Sequence, residues 1–119
     1  MAESVISNGV TISSIVLNST GKQYFNDLNP LNAKVKLCNG IYSLQVSLVT
    51  KAQLPSSEIN LAIADIPPHT GISGVVIGTS DSGIVGGAYL SYNGSLYIHP
   101  LSVQASGKEL RVTCTGFYD

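Results

Sequence analysis

At Asn39-Gly40 and again at Asn93-Gly94, an Asn-Gly pair separates two stretches in which apolar and polar side chains alternate. A type I′ turn needs positive φ at both central residues, which Asn and Gly tolerate best, so the pair is the strongest short-range sign of a β-hairpin. Before the first pair, Val35 and Leu37 face one way and Lys34 and Lys36 the other. After it, Tyr42, Leu44, Val46 and Leu48 share a face, with Ser43, Gln45 and Ser47 opposite. Around the second pair, Ala88, Leu90 and Tyr92 lead in on one face, and Leu96 and Ile98 lead out. Apolar residues repeating every second position mark half-buried strands.

The rest of the chain follows the same rule. Val10 to Leu17 is a first apolar run, and residues 18–33, NSTGKQYFNDLNPLNA, read as a long surface loop with room for a short edge strand. Residues 58–66, EINLAIADI, fit a strand through Ile59, Leu61 and Ile63, or a helix through Ile59, Ala62, Ile63 and Ile66. The strand is favoured because every neighbour is a strand, and Pro67-Pro68 ends it either way. A further strand spans Gly71 to Thr79, with Val75 and Ile77 on one face and Val76 on the other; TSDSG (79–83) is a turn. In the last strand Leu110, Val112 and Cys114 should face the core, with Arg111, Thr113 and Thr115 outside. Val, Ile and Thr are abundant and Gly frequent, a mix that suits pleated surfaces and the turns between them. The expectation is one all-β domain of seven or eight strands, a sandwich or a barrel.

Charge and cysteine usage exclude several classes. Six Lys and Arg against seven Asp and Glu leave a net charge of −1, without the clustered cations that grip a phosphate backbone. A membrane-spanning helix needs a long unbroken apolar run, and the chain has none. The start, MAESVISNG, lacks the basic and apolar regions of a secretory signal. A disulfide between Cys38 and Cys114 is open to the chain, but without a secretory signal a pair of buried free thiols is favoured, and the sequons at Asn18 and Asn93 carry no weight. Two His and two Cys without ligand spacing make no zinc set; no metal or cofactor is expected.

Catalytic motifs are missing from the sequence. There is no G-x-S-x-G elbow, P-loop or G-x-G-x-x-G, and DSGIVGG (81–87) is a turn and strand rather than part of a triad. His69 and His99 sit at loop and strand ends, far apart in sequence, where surface histidines are common; only geometry would make them a pair. Asp81 reads first as an Asx-turn residue and second as an available carboxylate. Among six Tyr, Tyr42 and Tyr92 share the face of core leucines, whereas Tyr89 and Tyr97 flank the second hairpin on the outward face. A flat ring carrying a hydroxyl suits sugar stacking and interfaces.

The order NGIYSLQVSLVTK, INLAIADIPPHTG, GGAYLSYNGSLYIHP and KELRVTCTGFYD resembles the head domain of receptor-binding tail proteins from phages of Gram-positive bacteria. The resemblance covers residues 34–119, with residues 1–33 as an N-terminal strand and long loop. It implies an antiparallel, jelly-roll-like β-sandwich that forms a homotrimer at the virion tail tip. It also implies attachment to host cell-wall saccharide without catalysis, contact with other tail proteins, and synthesis in the host cytoplasm. The chain has no Trp to match the one that often serves the family's sugar site, so no saccharide residue carries over. Expected exposure instead selects His69, Asp81, Tyr89 and Tyr97. The alternative is a structural virion or tail-assembly protein that binds no sugar.

Overall fold

Inward and outward side chains alternate along strand after strand of the computed structural model, which describes residues 4–7, 10–28, 33–65, 71–78 and 83–117. The elements are β1 (Ser4–Ser7), β2 (Val10–Leu17), α1 (Ser19–Tyr24), β3 (Ala33–Cys38), β4 (Ile41–Val49), β5 (Ile59–Ala64), β6 (Ile72–Gly78), β7 (Gly83–Leu90), β8 (Ser95–Pro100) and β9 (Glu109–Phe117). Val35, Leu37, Tyr42, Leu44, Val46, Leu48, Leu110, Val112 and Cys114 all point inward and are buried, as their spacing predicts. Within the ambiguous segment 58–66, Ile59–Ala64 is strand, not helix.

The strands pair antiparallel in the order β1-β2-β3-β4-β9-β6-β7-β8-β5, and β5 pairs again with β2. That last pairing, Ile15 with Ala64 through Leu17 with Ala62, closes eight strands into a barrel. The jelly-roll sandwich expected from the resemblance would divide these strands between two sheets; here one hydrogen-bonded sheet curls until its edges meet. Alternation reveals which face of a strand is buried but not which strands are neighbours, so the sequence left both outcomes open. Closure removes the free edges that an open sheet must shield. One strand remains outside the ring: β1 takes the stretch of β2 from Val10 to Ser13, and β5 takes the next stretch of the same edge.

The topology repeats itself. Strands β2, β3 and β4 form a meander, and β5 returns beside β2; strands β6, β7 and β8 do the same, and β9 returns beside β6. Each half is a Greek key. The β4–β5 and β8–β9 connections meet between the halves, where Leu54 and Gln104 exchange two backbone hydrogen bonds of 2.8 and 2.9 Å. The two Asn-Gly turns hold matching places, between β3 and β4 and between β7 and β8.

Those turns differ in detail. Asn39 (φ 52°) and Gly40 (φ 79°) form the expected two-residue turn. At the second hairpin the Ser91 N–H bonds the Ser95 carbonyl and the Gly94 N–H bonds the Ser91 carbonyl, giving a three-residue loop with Gly94 at φ 90°. Tyr92 lies in that loop and is 67% exposed, which corrects its placement in the core: the alternation stops at Leu90, where β7 ends.

Within the expected surface loop 18–33, the described residues 18–28 hold a helix and several long-range hydrogen bonds. Asn18 caps α1 through its Oδ1, as short polar side chains do at helix starts. That oxygen accepts the Gly21 N–H at 2.8 Å. The helix is a short one, Ser19–Tyr24, unable to hold by itself, so tertiary contact must fix it. Gly21 is buried so close to β5 that a Cβ would run into the Leu61 carbonyl. After the helix, the Asn26 N–H bonds the Val49 carbonyl at 2.9 Å and the Lys51 N–H bonds the Tyr24 carbonyl at 2.8 Å.

Along β3, β4 and β9 the wall is apolar inside and largely polar outside, with Lys36, Ser43, Gln45, Arg111 and Thr115 exposed, while Val16, Ile41, Val49, Ile63 and Ile84 are exposed apolar residues at other positions on the strands. Among the described residues, no helix is long and apolar enough to cross a membrane.

Candidate functional site

Strand register builds an aromatic row on the outer wall. Tyr89 of β7 lies directly opposite Tyr97 of β8. Tyr89 also pairs with Ser73 of β6, and Tyr97 with Asn60 of β5. The row across four strands is therefore Ser73, Tyr89, Tyr97, Asn60. Directly opposed residues on one face are cross-strand neighbours, so both tyrosines belong to the same stretch of the wall. Tyr89 is 42% exposed and Tyr97 half-buried. The Tyr89 hydroxyl lies against Gly71, where any Cβ would collide with it, so the ring leans along the wall towards β6.

The Asn60 end of the row is held in place. Asn18, which caps α1, also donates through Nδ2 to the Asn60 carbonyl at 3.0 Å and to Asn60 Oδ1 at 3.1 Å. The next outward position on β8 is His99, exposed and opposite Gly87 of β7. Gly87 is exposed, and a Cβ there would meet nothing within 4 Å. A gap one side chain wide thus opens beside Tyr89 and His99, with half-buried Val75 of β6 across from it. This arrangement offers two apolar ring faces, phenol hydroxyls, an amide and an imidazole on a shallow wall.

Of the four residues selected from the sequence, the structure brings Tyr89 and Tyr97 together; His69 and Asp81 lie outside the described residues. Asn60, His99, Ser73 and Gly87 join the site through register, which sequence spacing does not display. Cys38 and Cys114 are free, as expected, but only Cys114 is buried; Cys38 is half-buried. They stand on opposite faces of the wall, since Cys38 shares the face of Lys34 and Lys36 while Cys114 shares that of Leu110 and Val112. Burial pushes the Cys114 thiol up from 9.0 to about 11. Among the described residues, no group of three His, Cys, Asp or Glu is placed to hold a metal ion.

A second concavity lies away from the row. Where β2 and β3 part beyond Ser14 and Lys34, a half-open cleft of about 640 Å³ forms between β2 on one side and Lys22, Asp27, Leu28 and Ala33 on the other. Ile15, Leu17, Leu28 and Ala33 line it, together with Lys22, Lys34 and Asp27.

No family model, curated protein or solved structure matches the chain. The chemistry of the wall is therefore the guide to function.

Proposed function

We propose that the chain is a non-enzymatic, saccharide-binding module that attaches a phage tail tip to the surface of a Gram-positive host. The observation that carries the binding part is the Tyr89–Tyr97 pair, outward-facing and flanked by Ser73, Asn60 and His99. A pyranose has an apolar face and a rim of hydroxyls, and adjoining tyrosine rings with neutral polar neighbours complement both. The near-neutral charge of the chain suits an uncharged sugar better than a polyanion. The phage setting, the homotrimer and the contacts with other tail proteins rest on the sequence resemblance.

The test is titration of the isotope-labelled protein with purified host wall polysaccharide, read by NMR. Shifts should cluster at residues 60, 73, 87, 89, 97 and 99. Tyr97→Ala should weaken binding by about tenfold or more, the loss expected when an aromatic anchor is removed. The melting temperature of Tyr97→Ala should stay close to that of the parent, because Tyr97 lies outside the core. Unchanged affinity in that variant would remove the row from the binding site. Light scattering should give three times 12.4 kDa; a monomer would count against the tail-tip setting.

The structural reading without sugar is favoured by a different observation. Ile84, Leu101 and Val103 are exposed, and the Leu101 N–H bonds the Val85 carbonyl, which sets Leu101 opposite the residue that follows Ile84. Exposed apolar side chains of this size suit contact with other subunits. If polysaccharide gives no shifts while virion proteins bind at these residues, the structural reading stands.

A further inference from the structure

We propose that the cleft between β2 and β3 is a second binding site, for an apolar molecule carrying one anionic head group, a carboxylate or a phosphate monoester. It does not depend on the reading of the tyrosine row. The edge of β2 is where the site originates. Pairing with β3 ends at Ser14 and Lys34, while Ile15, Val16 and Leu17 pair only with β5 on the other edge. The Asp65 N–H bonds the Ser14 carbonyl at 3.1 Å, and the Asn18 N–H bonds the Leu61 carbonyl at 3.0 Å, so Ser14 and Asn18 turn their peptide groups towards β5. Peptide direction alternates along a strand. Ile15 and Leu17 therefore present theirs to the side that β3 has left, and among the described residues no strand pairs with that side.

An open strand edge exposes side chains of both faces at once. Inward Ile15 and Leu17 and outward Val16 all reach the cleft, and Leu28 and Ala33 close its far wall. The volume, about 640 Å³, falls within the range typical of small-molecule sites. Three open residues span only about 10 Å, too little for the ladder by which an added peptide strand would be held. The polar groups set the head. Lys22, in the last turn of α1, and Lys34, at the start of β3, line the cleft against a single carboxylate, Asp27. That leaves an excess of one positive charge beside apolar walls, and an anion there gains charge-assisted hydrogen bonds that a neutral head does not.

The probes are decanoate, decyl phosphate and decanol, titrated into the isotope-labelled protein. The two anions should shift the amides of residues 12–17, 22, 27, 28, 33 and 34, and both should bind about tenfold more tightly than decanol. Lys22→Met combined with Lys34→Met should reduce decanoate to the affinity of decanol, while Asp27→Asn should raise it. All three positions are at the rim, and the spectrum of each variant reports directly whether the barrel is intact. Equal affinity for decanoate and decanol in the parent would overturn the assignment of the head group. Shifts confined to other residues, or none up to the solubility limit, would overturn the site.

Discussion

Cys114 stands on the inner face of β9, and its thiol is held up at about 11 because burial penalises the thiolate. The unfolded chain releases this proton from about pH 9 while the folded chain keeps it. The native state then binds more protons than the unfolded one, so stability is fully present below pH 9 and falls as pH rises towards 11. Cys114→Ala should be less stable at neutral pH but show a shallower alkaline decline in urea melts. Thiol reagent under mildly alkaline conditions should modify Cys38 and leave Cys114 intact until the protein unfolds, and a mass spectrum taken before and after denaturation would show it. At this scale much could be read from spacing: the inward set on β4 and β9, and the outward Tyr89 and Tyr97. Tyr92 could not, because period 2 continues across it in sequence while the chain has already turned at Ser91.

Among the elements, α1 shows how a short segment is specified from outside. STGKQY has no apolar period and carries a glycine in mid-helix, and its local signals are Asn18 as cap and Lys22 in the last turn. What fixes it lies on β5 and β4: the Leu61 carbonyl against Gly21, and the hydrogen bonds to Val49 and Lys51 beyond its end. Gly21→Ala should therefore destabilise the protein, although Ala is the better helix former, and its melting temperature should fall by several degrees. Asn18→Ala should cost about 1 kcal/mol through the lost cap. It should also free Asn60, so amide shifts should spread from α1 to Tyr97 across the β5–β8 pairing. The strands, by contrast, announce themselves through alternation, and β4 and β9 do so along their whole length. Alternation does not flag the antiparallel partner β1 of β2, because β1 is too short to display a period.

For the whole molecule, the two Greek keys and the closure between them were not legible, because both depend on partners far apart in sequence. Ile15 meets Ala64, and Gly74 meets Cys114; nothing local distinguishes these partners from other alternating strands. The candidate site shares that limit. Its tyrosines face outward by parity alone, but Asn60 reaches Tyr97 only because β5 returns beside β8. Pairings of such long span must form late and together, so folding should be slow for a chain of this size, on the order of milliseconds to seconds by stopped flow.

The ring has one weak fastening. The β4–β9 ladder runs from Ile41 to Val49, whereas the β2–β5 ladder holds only from Ile15 to Leu17. Thermal opening begins where the fewest rungs must break, so the amides of Asn18 and Asp65, bonded across this join, should exchange with solvent before those of Leu44 and Val112. A barrel unzipped there keeps every other ladder, the second Greek key among them, and bares two selvedges, one on β2 and one on β5. Two such chains, brought close on a particle or in a concentrated solution, can button each to the other instead of to themselves. The join that closes this chain on itself is thus also its readiest route to becoming part of a larger weave.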